Sequence, residues 1–338
     1  MIRRLMPPLV AVLAALGLAA CGEKKDPITP TAATPQALRV MLDWVPNPDH
    51  VGLYRALASG AFRSAGLDVR VQVPTDPATP LELLAAGKVD LAISYEPEVL
   101  LARDKGLPIA SIAALVQRPL TSIVSLGARH ITSAAQLRGK TVGDAGIPYQ
   151  HAYLQTILKR AGVPPSSVKE VNVGSDLVGA MLSGRVDATL GAYWNVEALQ
   201  LHQMGRKVNV IHVENVGVPN YDELVLVART NEIAGADSNV LRRFVQTLGR
   251  GYEAVRSDPS AAVASLIAAN PGISAKLAQV SVSATLPAFF PSGGRPWGWQ
   301  TPAQWTAYGQ WMLSHHLIGN AGAVPGAETN QLLAGQGP

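Results

Sequence analysis

The segment Leu83–Tyr95, LLAAGKVDLAISY, has an echo in Ala180–Ala192, AMLSGRVDATLGA. Each reads as an apolar helix end, a glycine, a basic residue, Val-Asp and then an apolar strand. Gly87 and Gly184 fit the left-handed position that stops a helix, where the missing Cβ removes the steric penalty. Asp90 and Asp187 then lead into short apolar runs typical of strands buried on both faces. Two readings fit the echo. Either a common helix-to-strand turn recurs by chance, or the chain holds two similar lobes with equivalent strand ends.

The rest of the chain alternates in the same way. Strands are expected at Leu38–Trp44, Leu67–Pro74, Leu91–Tyr95 and Ile109–Val116, with helices at Val51–Phe62, Pro80–Gly87 and Pro97–Lys105 between them. A second series runs through Thr121–Leu126, Thr141–Ala145, Val168–Val173, Ala188–Ala192 and Val208–Val213. After Leu224–Val227 the pattern is mainly helical, and the Gly- and Ala-rich residues from Gly319 read as poorly ordered. Such alternation implies an α/β architecture with parallel-type sheets covered by helices.

The N-terminus has Arg3 and Arg4, an apolar run from Leu9 to Ala20, and then Cys21. This is the layout of a signal peptide over residues 1–20, and the run is too short to span a bilayer. Leu18-Ala19-Ala20-Cys21 resembles a bacterial lipobox, which implies cleavage before Cys21 and lipid attached to its thiol. Cys21 is the only cysteine, so the body has no disulfide framework and no cysteine metal cluster or nucleophile. Residues 21–37 read as the lipidated cysteine and a flexible tether. Net charge is +4, or about +2 without Arg3 and Arg4, and no basic tract argues for nucleic acid.

In open α/β sheets, ligands bind beyond the carboxyl ends of the strands. That rule selects three places: the turn in LDWVPNPDHVGLYRA (Leu42–Ala56), Tyr95 with Glu96 and Glu98, and Tyr193 with Trp194, Asn195 and Glu197. Taken singly these residues have plain structural readings. Trp44 could be a core aromatic, His50 a helix-start residue, Asp49 an N-cap and Tyr221-Asp222-Glu223 a polar turn. Together they suit a flat heterocycle. Aromatic rings sandwich it, amides offer both donor and acceptor, and carboxylates accept from ring amino groups. The chain has no G-x-S-x-G or P-loop sequence, and its histidines lack metal-ligand spacing.

The combination of LDWVPNPDHVGLYRALASGAF, AAGKVDLAISYEPEV and GVPNYDELVLVA resembles the ThiY-like periplasmic solute-binding proteins for thiamine pyrimidine precursors, over about Leu38 to Asn270. The resemblance implies a type II periplasmic-binding-protein fold, with two lobes joined by two hinge crossings. The expected partition is 38–120 plus 228–338 for lobe 1 and 121–227 for lobe 2, with hinges at Thr121–Leu126 and Glu223–Val227. It also implies formylaminopyrimidine or hydroxymethylpyrimidine as ligand, no cofactor, an ABC permease and ATPase as partners, and a monomer anchored by lipid on the extracytoplasmic face. In that reading Trp44 stacks on the ring, Asn47 and His50 bond its edge, and Tyr95 forms a second wall. Asn195 and Glu197 close from the other lobe, and Tyr221 and Glu223 lie near the hinge. A binder of riboflavin or another flat vitamin is the alternative, and an envelope sensor or scaffold is a third class. Related folds include the fungal pyrimidine synthase, which consumes a lysine-bound pyridoxal phosphate and its own histidine. Ser94 and Glu98 stand at those two positions here, and the cysteine-rich iron segment is absent.

Overall fold

The computed structural model describes residues 35–336. The expected signal peptide, Cys21 and most of the expected tether lie outside the described residues. Among the described residues, ten strands form two five-stranded sheets. The first contains β1 (Gln36–Met41), β2 (Leu67–Gln72), β3 (Leu91–Ser94), β4 (Ile109–Val116) and β10 (Leu224–Arg229). The second contains β5 (Thr121–Leu126), β6 (Thr141–Asp144), β7 (Lys169–Asn172), β8 (Ala188–Tyr193) and β9 (Val208–His212). The orders are β2-β1-β3-β10-β4 and β7-β6-β8-β5-β9.

The sheets share one plan. A central strand pairs in parallel with two neighbours, β1 with β2 and β3, and β6 with β7 and β8. The first strand after each crossing then enters antiparallel, β5 between β8 and β9, and β10 between β3 and β4. The two echoed segments occupy the same place in this plan. Gly87 and Gly184 have φ of 69° and 72°, the left-handed values expected of them. Asp90 accepts from the Arg39 amide at 2.7 Å, and Asp187 from the Thr141 amide at 2.9 Å. Each aspartate thus ties the start of its strand to the central strand of its own sheet.

The expected hinge segments need correction. Thr121–Leu126 and Leu224–Val227 are sheet strands, because each makes ladder bonds on both sides. The chain crosses just before them, at residues 117–120 and 216–223, so the lobe boundary expected at 227/228 moves ahead of Leu224. The C-terminal tail also departs from expectation. Beyond Gly319 it packs against the first sheet, with Leu332 and Leu333 buried. The Ser111 amide donates to Ala327 O at 2.8 Å, and the Thr329 amide to Ser111 O at 2.9 Å. Its Gly and Ala content hid these few apolar anchors.

The helix Ser238–Ser257 lies against the helix Val51–Ala58 and buries Val240, Phe244, Val245, Leu248, Tyr252 and Val255 on one face. Among the described residues, no helix is long and apolar enough to cross a membrane.

Candidate functional site

The turn after β1 begins the site. Asn47 caps the short helix Pro48–His50: its Oδ1 accepts the Asp49 amide at 2.9 Å, and His50 Nδ1 accepts the Asn47 amide at 3.2 Å. Since Nδ1 accepts, the ring hydrogen sits on Nε2, which lies 2.8 Å from Asp43 Oδ1. The Tyr95 hydroxyl donates to Asp43 Oδ2 at 2.8 Å. Asp43 is thereby fixed by two donors, one from its own turn and one from the end of β3.

The second lobe supplies the facing wall. The helix Pro148–Arg160 follows β6 after only three residues, so Tyr149 and Gln150 come from its first turn. Gln150 Oε1 accepts the Ala145 amide at 2.8 Å, which leaves its Nε2 as the donor it can offer. Gly191 in β8 makes room for that amide. A Cβ there would lie 2.3 Å from Gln150 Nε2, and its φ is 103°. Glu197 Oε2 accepts the Tyr193 amide at 2.7 Å.

These groups converge between the lobes on a cavity of about 20 Å³, room for about one water and well short of the space a small-molecule ligand fills. The walls are Asp43, Trp44, Asn47 and Tyr95 on one side, and Ile147, Tyr149, Gln150, Leu177, Gly191, Tyr193, Val196 and Glu197 on the other. Among these lining residues there is no lysine or arginine to balance the two carboxylates. Burial pushes the Glu197 carboxyl up to about 7, against the pull of the Tyr193 amide.

Four of the eight sequence-selected residues line this cavity: Trp44, Asn47, Tyr95 and Glu197. The other four are buried beside it with different partners. His50 orients Asp43. Asn195 donates from Nδ2 to Asp49 Oδ1 at 2.8 Å and to Thr285 Oγ1 at 2.6 Å. Tyr221 donates to Glu223 Oε2 at 2.9 Å. Glu223 takes the Leu120 and Thr121 amides at 2.6 and 2.8 Å, so it ties one crossing to the other. Burial raises its carboxyl, and the amides of Thr121 and Leu120 oppose that rise. Asp49, open between an N-cap and a ligand contact, is not the N-cap, since Asn47 fills that role.

Asp43, Tyr149, Gln150 and Gly191 were missed by the sequence reading. The signal for the middle pair was present in DAGIPYQ, where Pro148 opens a helix directly after a strand.

The two matching sheets, two crossings and interlobe cavity define a periplasmic-binding-protein fold. In agreement, the alkanesulfonate-binding protein SsuA of Xanthomonas axonopodis pv. citri, solved bound to MOPS, superposes with a TM-score of 0.67 at 16% identity, covering 88% of this chain and 99% of that one. Residues 47–262 match the family described as NMT1/THI5 like, and the chain belongs to that family. A formylaminopyrimidine-binding protein of Halalkalibacterium halodurans is 37% identical over 315 residues, 91% of this chain and 93% of its own length. A 4-amino-5-hydroxymethyl-2-methylpyrimidine phosphate synthase of Saccharomyces cerevisiae is 26% identical over 237 residues, 65% of this chain and 67% of its own.

Proposed function

We propose that this chain is the substrate-binding component of an ABC importer, and that its interlobe cavity captures a thiamine pyrimidine precursor, formylaminopyrimidine or hydroxymethylpyrimidine. The observation that carries the reading is the cavity's inventory. Asp43 and Glu197 are acceptors for ring amino groups. Asn47 and Gln150, each with its oxygen already bonded, are donors for ring nitrogens or a formyl oxygen. Trp44, Tyr95, Tyr149 and Tyr193 supply the aromatic walls. A phosphate or sulfonate would meet two carboxylates and no cation. The name carried by the Halalkalibacterium relative supports the same ligand class.

The chain acts as a binder and not as a synthase in this reading. Ser94 and Glu98 occupy the positions of the synthase lysine and histidine, and Glu98 instead accepts the Tyr149 amide at 3.1 Å across the cleft. The lobes close on the ligand about residues 117–120 and 216–223. Cys21 carries the lipid anchor, and the monomer delivers its ligand to a permease and ATPase on the extracytoplasmic side. Calorimetry with formylaminopyrimidine, hydroxymethylpyrimidine and riboflavin tests the ligand. Binding of a pyrimidine is expected, and binding of riboflavin alone would overturn the assignment. Intact-mass analysis of the membrane fraction tests the anchor, where an unmodified soluble N-terminus would refute it.

A further inference from the structure

Asn195 was selected as a ligand contact, yet it lies outside the cavity wall and is fully buried. Its side chain spans the cleft. Asn195 follows β8 of the second sheet, while Asp49 belongs to the turn after β1 of the first. Thr285 closes the helix Ala275–Thr285, which packs on both the turn Pro48–His50 and the helix Glu197–Gln203. The Asn195 amide nitrogen donates to Asp49 Oδ1 at 2.8 Å and to Thr285 Oγ1 at 2.6 Å. Thr285 in turn donates to Ser281 O at 2.9 Å, and the Tyr252 hydroxyl fixes Asp49 O at 2.7 Å.

The cluster is satisfied only in part. Asp49 Oδ2, Asn195 Oδ1 and Ser281 Oγ are buried with no hydrogen-bond partner. Separating the lobes would hydrate the first two and so recover part of what is lost when the cross-lobe bond breaks. A fully satisfied network at this point would resist opening. A half-satisfied one holds the lobes together and still lets go.

We propose that Asp49 and Asn195 are a reversible latch between the lobes, which makes the closed form accessible to the ligand-free chain and slows ligand escape without touching the ligand. The effect on escape rests on the binding reading above; the effect on ligand-free closure does not. Burial holds the Asp49 carboxyl well above its usual range, opposed by the Asn195 bond and reinforced by nearby Asp43, Glu197 and Glu223. Burial thus disfavours the charged form of Asp49 in the closed state, and the Asn195 amide is the donor that opposes it.

The test places spin labels at two exposed positions, Arg63 in the first lobe and Lys169 in the second, with Cys21 replaced by Ser. Electron–electron distance distributions are recorded without ligand and with formylaminopyrimidine, for wild type, Asn195→Ala and the shape-conserving Thr285→Val. The wild type should show a closed component without ligand. Asn195→Ala should lower the closed-to-open ratio about tenfold, and Thr285→Val should lower it less. The ligand off-rate should rise by the same factors with the on-rate unchanged. The melting temperature of the open form should hold, because the latch is absent there. A ligand-free wild type with no closed component, or an Asn195→Ala distribution identical to wild type, overturns the latch. A latch-dependent closed component in a protein that binds no pyrimidine leaves the latch standing and refutes the ligand assignment.

Discussion

The two lobes present matching strand ends to the cavity but prepare them differently. After β1, six residues (42–47) intervene before the helix start at Pro48, and that longer turn folds back on itself. It carries its own orienting histidine, so Asp43 reaches the cavity with both oxygens bonded. After β6 only Ala145, Gly146 and Ile147 intervene before Pro148, and the polar cavity groups come from the helix's first turn, from β8 and from Glu197 just beyond it. The first lobe thus offers a pre-bonded carboxylate. The second offers Glu197, which is anchored by one backbone amide and kept by burial near its titration point. Polar groups of the first kind serve folding and binding together; groups of the second kind serve mainly binding.

The sharpest way to break this contrast is Asp43→Ala. It leaves the His50 Nε2–H and the Tyr95 hydroxyl buried without an acceptor. Stability should fall by about 2–5 kcal/mol, and pyrimidine binding should be lost. Urea unfolding checks the first part and calorimetry the second. If Glu197→Gln destabilises the chain as much at neutral pH, the lobes do not differ in the way described. Next in size is Gly191→Ala. Its Cβ would enter the space of the Gln150 amide at a left-handed φ, so a cost of about 1–3 kcal/mol is expected together with loss of that donor. Unchanged affinity would remove Gln150 from the ligand contacts.

How much of this could be read beforehand follows from the same contrast. The doubled helix-Gly-basic-Val-Asp-strand pattern encodes local geometry, and Gly87, Gly184, Asp90 and Asp187 all take equivalent places. Trp44, Asn47, Tyr95 and Glu197 were legible because they lie in or just after the turns that follow strands. His50, Asn195, Tyr221 and Glu223 follow strands or crossings too, and their polarity looked the same. For Asn195 and Glu223 the difference is a partner from a distant segment that consumes the side chain, Asp49 for the one and Leu120 and Thr121 for the other, while His50 and Tyr221 are held by the near neighbours Asp43 and Glu223. Periodicity carries no trace of that pairing. The crossings were displaced for a related reason: Thr121–Leu126 and Leu224–Val227 have the composition of strands, and a chain changes lobes in the polar, Pro-bearing residues just before them.

Glu197 gives a pH test of the second lobe. Its carboxyl stands at about 7 in the ligand-free fold, against an ordinary 4.5. Between those values the folded chain holds a proton that the unfolded chain has lost. Stability from this group is therefore complete below pH 4.5 and drains away as pH rises toward 7. Glu197→Gln removes the drain. Relative to wild type, it should gain about 1–3 kcal/mol between pH 4 and pH 8, the lower figures applying because the group faces a cavity that water can enter. Paired urea titrations at the two pH values measure this. A difference that stays flat with pH would mean that Glu197 is an ordinary solvated carboxylate.

The smallest expected effect concerns Trp44, which separates the inner cavity from the groove at the cleft mouth. It is only partly buried and belongs to the first lobe, yet its side chain holds none of the Asp43 network together. Trp44 is half-buried and packs against the apolar clusters of both lobes, so Trp44→Ala should lower the melting temperature of the ligand-free chain by a few degrees, well short of the loss from Asp43→Ala. Its effect should appear in binding, where stacking contributes about 0.5–1.5 kcal/mol beyond the apolar area covered. With that area included, formylaminopyrimidine affinity should fall at least about tenfold. Trp44→Phe keeps a ring of smaller area and should lose about threefold. If both variants lose equally, the indole acts through something other than its flat face. If Trp44→Ala unfolds the chain as Asp43→Ala does, Trp44 joins the pre-bonded set, and the turn after β1 is one structural unit with no residue reserved for the ligand.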